Sequence, residues 1–408
     1  MRTVKRKLVI ISAVTCISLG GIYILFIRNR NHINEGSLLA KRQAAQTLSS
    51  SLKGGNTREN TFVRRNKTRQ ENGPCYRQVQ IWRGAKTPQT PGKFQCPGLK
   101  CGIKFVQDTS FETMKSSDAV IFYHFWRWNW AELQRRRPMN QAWVFYSIES
   151  PKLTGRSSMP PRGFDRLYNF TMSYRPSSTI HSPYGYYDTT IPQVTDKNRN
   201  WAEGKSELIA WAASNHWDTT WRRTKFVQTL SKHISVDMYG ACGNKVCNIH
   251  SAACIQKLKA HKFYLALENT ECRDYITEKF WKNALLRNIL PIVYGPPRED
   301  YERVAPPNSF IHLQDFKDFN ELVDYIKLLD SNDTLYNSYF EWKTQGSIEI
   351  VGEAVILGPH FLCKVVAKLL EQEKKLDAGY DEASDRNPSM HDYWSTSCFK
   401  STGFPYDF

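Results

Sequence analysis

Two continuous apolar runs, KFYLALEN at 262–269 and ILPIVYG at 289–295, constrain this chain more than any other feature. A strand that is apolar on nearly every residue must be covered on both faces, as the strands of parallel sheets are. The stretch between the runs is long enough for a crossover helix, and such crossovers are right-handed. The run predicts a parallel α/β unit. Open parallel sheets bind ligands beyond the carboxyl ends of their strands, so the residues at those ends are the ones to weigh.

The pattern recurs along the chain. DAVIFYH at 118–124 ends in His124, and WVFYSIES at 143–150 ends with Glu149. LYNFTMSYR at 167–175 reads as a third strand of this group. A second group follows: LIAWAASN at 208–215, SVDMYG at 235–240, the two opening runs, and FIHL at 310–313. Helical patterns lie near 220–233, 253–261 and 319–329. The alternation predicts two α/β domains, 75–200 and 201–372, facing across a cleft. Residues 373–408 read as a polar, irregular tail. His124, Glu149, Asn215 and Glu268 end the predicted strands.

Residues 8–27 form an uncharged run of the length that spans a bilayer as a helix. Arg2, Lys5, Arg6 and Lys7 precede it, which orients residues 1–7 to the cytoplasm. The expectation is a single-pass type II signal anchor, a flexible polar stem at 28–74, and a luminal globular part. Most of the formal charge of +17 sits ahead of the globular part: residues 1–74 carry +11, leaving +6. That remainder suits anionic phosphates in a pocket as well as it suits a polymer; no nucleic-acid partner is expected. Nine cysteines follow Cys16. In an oxidising lumen they read as a disulfide frame with at least one cysteine left over; their spacing matches no zinc site. Asn66, Asn169 and Asn332 begin glycosylation sequons.

The segment RDYITEKFWKNAL between the opening runs reads as a helix starting at Asp274, whose carboxylate would cap it. Tyr275, Glu278 and Lys279 then share the first turn, with Ile276, Phe280 and Ala284 facing the sheet. A helix N-terminus, a lysine, a tyrosine and a carboxylate suit a nucleotide diphosphate bearing a sugar. Ordinary capping and dipole chemistry explains the same residues.

The block ENTECRDYITEKFWKNAL…LPIVYGPPREDYERVAPPNSFIHLQDF resembles the donor-binding signature of the α1,3-fucosyltransferases, glycosyltransferase family 10. WVFYSIESP, FTMSYRPSSTIHSPYG and AWAASNHWDTTWRRTKFVQTL are similar to further family segments, so the likeness covers roughly 118–340. Cys272 and the cysteine-rich 242–254 look more like invertebrate and core-type members. The resemblance implies a GT-B fold of two Rossmann-like domains, a Golgi location, and inverting transfer of L-fucose from GDP-fucose to a GlcNAc of an N-glycan, core or antenna. It implies Glu149 as catalytic base, and Arg223, Tyr275, Glu278, Lys279, Tyr184 and Asn215 as donor contacts. Arg222 lies within a one-residue register shift of Arg223.

Direct inversion needs a carboxylate that takes the acceptor proton, and burial at a strand end can tune one for it. Taken alone, Glu149 reads more readily as a solvated strand-end carboxylate. The chain contains no Asp-x-Asp metal motif. Arg223, Lys279 and a helix N-terminus can neutralise the leaving diphosphate instead, so no obligatory metal is expected. The run FYHFWRWNW offers His124, Trp126 and Trp128 as acceptor-side candidates, or as ordinary aromatic packing. Two other classes stay open: a catalytically silent sugar-nucleotide or glycan-binding protein on the same fold, and a membrane-tethered polyanion binder.

Overall fold

The computed structural model describes residues 74–82, 91–108, 110–123, 128–154, 159–215, 217–248, 251–352, 358–379 and 389–399. The chain divides into two units, Met1–Asn72 and Gly73–Phe408, and every described residue lies in the second. The expected anchor at 8–27, nearly all of the expected stem, and Asn66, His124 and Trp126 lie outside the described residues. Among the described residues no helix is long and apolar enough to cross a membrane.

The first sheet contains β1 (Cys75–Trp82), β2 (Gly92–Phe94), β3 (Cys101–Gln107), β4 (Ala119–Tyr123), β5 (Ala142–Ser147), β6 (Phe170–Ser173) and β7 (Ile180–His181). Their order is β2-β3-β1-β4-β5-β6-β7, parallel throughout except for β2 on β3. β4 and β5 run as the apolar pattern predicts, and their side chains alternate between two cores. Ile121, Val144 and Tyr146 face one; Phe122, Trp143 and Phe145 face the other. Strands β1 to β3 escape a search for continuous apolar runs because polar residues interrupt each of them. Gln80 is buried; its amide N–H donates to the Asp108 carbonyl at 2.9 Å, while its amide oxygen has no hydrogen-bond partner among the described residues.

β8 (Gly185–Asp188) leaves this sheet and pairs antiparallel with β14 (Ser347–Ile350). Between them the second sheet is built from β9 (Glu207–Ala212), β10 (Val236–Tyr239), β11 (His261–Leu267), β12 (Leu290–Tyr294) and β13 (Ile311–His312). Its order is β10-β9-β11-β12-β13, all parallel. Helices Arg223–Leu230 and Phe319–Ser331 cover one face, and Ala252–Lys259 with the segment 276–285 covers the other.

The C-terminal expectation needs correction. The helix Pro359–Asp377 runs across the expected boundary at 372 and packs on the first sheet, not the second. Phe361, Leu362, Val365, Val366, Leu369 and Leu370 supply its apolar stripe, and Cys96–Cys363 fastens it. Nor is the remainder wholly irregular. Met390–Tyr393 is helical, and Met390 and Trp394 are fully buried against β4 and β5. Polar composition concealed two large apolar anchors.

Four disulfides form: Cys75–Cys101, Cys96–Cys363, Cys247–Cys254 and Cys272–Cys398. Cys242 is the one of the nine outside a disulfide, so the expected frame and the odd cysteine are both present. Of the described sequons, Asn332 is exposed between two helices. Asn169 is half-buried, and its amide oxygen accepts from Arg137 and from the Trp143 N–H.

Candidate active site

Glu149 stands just past the carboxyl end of β5. The Ser147 hydroxyl accepts from the Glu149 N–H at 3.1 Å and donates to the Glu149 carbonyl at 2.9 Å. The Tyr184 hydroxyl donates to the Ile148 carbonyl at 2.7 Å. Those bonds fix the turn that aims the carboxylate. Its Oε2 accepts from the Tyr275 hydroxyl at 2.8 Å, across from the segment that follows β11. Burial raises the proton affinity of Glu149 above the ordinary carboxylate value; the Tyr275 bond and the charge of Lys279 oppose that, and Glu278 and Glu268 add to it. Tyr275 is buried, its ring 5.1 Å from that of Tyr174.

Opposite lies Glu268, at the end of β11 and fully buried. It accepts from the Thr277 N–H at 2.8 Å, from the Thr277 hydroxyl, and from Lys279 Nζ at 2.9 Å. Glu278 lies 3.3 Å from the same ammonium. Burial alone would lower Lys279, but the Glu268 and Glu278 carboxylates outweigh it and raise it, so Lys279 stays cationic. Gly295, at φ +141°, lets the end of β12 approach: a Cβ there would sit 2.7 Å from Glu268 Cβ.

The helix of this segment starts later than its sequence suggests. Asp274 does not cap it; the residue is left-handed at φ 64°, and its carboxylate pairs with Arg175 and Arg303. Helical geometry begins at Glu278 and runs as a wide turn over Lys279–Ala284. Tyr275 is therefore outside the first turn, and the Thr277 N–H that would face an anion is taken by Glu268. Ile276, Phe280 and Ala284 still share one apolar cluster, as their spacing predicts.

Arg223 begins its helix but is buried, its guanidinium donating to the carbonyls of Leu267 at 2.8 Å and Asn215 at 2.7 Å. Its neighbour Arg222 is exposed. Asn215 closes a local turn, accepting from the Asp218 N–H at 3.0 Å. Trp128 packs edge-on against Phe122 in the first sheet's aromatic cluster, which is the packing alternative for that run. The structure thus gathers Glu149, Tyr275, Tyr184, Glu278 and Lys279 with Glu268, while Asn215 reaches them only through Arg223. Thr277 and Ser147 were not legible as site residues; each is a small hydroxyl whose role is to satisfy a neighbour. Among the described residues no group of three or more His, Cys, Asp or Glu side chains is arranged to hold a metal.

Two family descriptions match. "Fucosyltransferase, N-terminal" covers residues 77–185, and "Glycosyltransferase family 10 (fucosyltransferase) C-term" covers 202–384. Glycoprotein 3-alpha-L-fucosyltransferase A of Drosophila melanogaster is 38% identical over 67% of this chain and 52% of its own length. The Homo sapiens 3-galactosyl-N-acetylglucosaminide 4-alpha-L-fucosyltransferase FUT3 is 39% identical over 51% of this chain and 55% of its own. The chain thus spans about half the length of these curated relatives. A crystal structure of an alpha1,3-fucosyltransferase with GDP-fucose aligns over 74% of this chain and 93% of that one, with 18% identity and a TM-score of 0.46. With one family description on each of its two parallel-sheet regions, the chain belongs to the fucosyltransferases of glycosyltransferase family 10.

Proposed function

We propose that the chain is an inverting α1,3-fucosyltransferase of GT-B architecture, transferring L-fucose from GDP-fucose to the 3-OH of a GlcNAc on a glycoprotein N-glycan. The observation that carries this reading is the Glu149–Tyr275 contact, where the carboxyl ends of two parallel sheets meet. Glu149 takes the acceptor's 3-OH proton as that oxygen attacks the fucose anomeric carbon. The bond from that carbon to the β-phosphate oxygen breaks, and GDP leaves with the electron pair. Lys279, a fixed cation, faces the diphosphate as its charge develops, with Arg223 behind it as a second positive charge. Glu278 accepts from donor hydroxyls, while Tyr184 and Tyr275 hold the base in place. No step requires a metal. An anchor at 8–27 would place the globular part, with its two parallel-sheet domains, in the Golgi lumen.

Family membership and an intact Glu149 support turnover. A silent sugar-nucleotide-binding protein is the competing reading, favoured by the fact that Lys279 already has two carboxylate partners. Incubation of the full chain with GDP-fucose and a panel of N-glycans in EDTA separates the two. The transferase reading expects a 3-linked fucosyl product on one acceptor class, core or antenna. Donor binding with no product on any acceptor would favour the silent one.

A further inference from the structure

The C-terminal residues reach the candidate site from behind. Cys398 is bonded to Cys272, and backbone bonds flank the disulfide: Arg273 N–H to the Ser397 carbonyl at 2.8 Å, and Phe399 N–H to the Glu271 carbonyl at 3.0 Å. The other end of this stretch is sunk in the first sheet. Trp394 is fully buried, with its ring 5.1 Å from Phe145 and its indole N–H donating to Thr154 Oγ1 at 2.7 Å. The Tyr393 hydroxyl lies 2.7 Å from Ser178 Oγ. Residues 389–399 therefore run from the first sheet to the loop after β11. Tyr275, three residues beyond Cys272, is the residue that reaches back to Glu149. Between them Asp274, left-handed, is held by Arg175, in the connection from β6 to β7, which also bonds the Tyr393 carbonyl.

We propose that residues 389–399, fastened by Cys272–Cys398, act as a positioning strap that holds Tyr275 on Glu149. The strap makes one covalent attachment to the 271–273 loop, the disulfide, and two backbone hydrogen bonds on either side of it. The remaining contacts of the loop are made to other elements: Glu271 with Thr220 and Tyr294, Arg273 with Glu299 and Asp300, and Asp274 with Arg175, Arg303 and Asp300; the strap alone ties the loop covalently to the residues buried against the first sheet. The strap does not touch substrate; it acts through Tyr275, and the inference rests on Glu149 being the base.

The test compares kcat–pH profiles of the full chain in five forms: unaltered, Cys272→Ser/Cys398→Ser, Tyr275→Phe, the three changes combined, and Glu149→Gln. The serine pair is expected to lower kcat about tenfold, the scale of one hydrogen bond to a charged group. It should also move the acid limb to higher pH, in the direction given by Tyr275→Phe. The combined variant should fall within about twofold of Tyr275→Phe alone, because coupled changes do not add. A serine-pair profile that superimposes on the unaltered one, or effects that multiply, would overturn the strap. Should the serine pair not fold, Trp394→Phe keeps the disulfide but removes the bond to Thr154; it should shift the acid limb the same way by less, and an unmoved limb is equally fatal. Turnover retained by Glu149→Gln would instead remove the base, whatever the strap variants do.

Discussion

At the scale of single residues, the strand-end position of Glu149 was legible and the groups around its carboxylate were not. Its place at the end of WVFYSIES was plain, because a strand end in a parallel sheet is where ligands gather. Nothing in the sequence said that Tyr275, far along the chain, would donate to it. The consequence is a pH effect with a definite sign. Burial raises Glu149, and a base must be ionised, so turnover falls on acidification with a midpoint above 4.5. The Tyr275 bond lowers that value; Tyr275→Phe should therefore shift the acid limb of the kcat–pH profile upward. A downward shift would mean that the hydroxyl does not stabilise the carboxylate. Arg223 shows the opposite lesson. A basic residue at a helix start suggested an open contact, but two carbonyls hold it, a partnership that no local pattern announces.

Among elements, the strand–helix–strand reading of 262–295 placed both strands and misplaced the helix start. Helix propensity and an Asp at the expected cap argued for Asp274. The buried Glu268 carboxylate prevailed, because leaving it unpaired costs more than delaying a helix. It draws in Thr277 and Lys279 and leaves Asp274 to the two arginines. Glu268 ends the predicted strand, and the tight Gly295 opposite explains how it fits. Gly295→Ala would strain a φ of +141° and press a methyl on Glu268. It should cost about 1–3 kcal/mol in denaturant unfolding and weaken GDP binding through Lys279. Unchanged stability and affinity would show that the approach is looser than described.

Across the whole molecule, the two-sheet plan followed from apolar periodicity, while the return of the C-terminal helix to the first sheet did not. The strands that this helix packs on lie far back in sequence, so no local signal names its neighbour. Burial of Lys343, between Trp201 and Trp342, is another feature of the assembled fold. Burial, with Arg199 and Lys205 adding to it, pushes Lys343 down to about 7 from 10.5. Between those values the unfolded chain binds the proton that the folded chain has shed, so stability rises with pH in that window. The melting temperature of the unaltered chain should gain more between pH 6.5 and 8.5, roughly the range a charge shift of this kind spans, than that of Lys343→Met. Parallel curves would mean that Lys343 keeps its charge when folded.

The central claim is that one carboxylate accepts a proton while fixed cations hold the donor. Glu149→Gln tests it most directly, by measuring GDP-fucose affinity and fucosyl transfer on the same preparation. The account predicts affinity within about threefold of the unaltered chain and turnover down by about 100-fold or more. Turnover near that of the unaltered chain would contradict it.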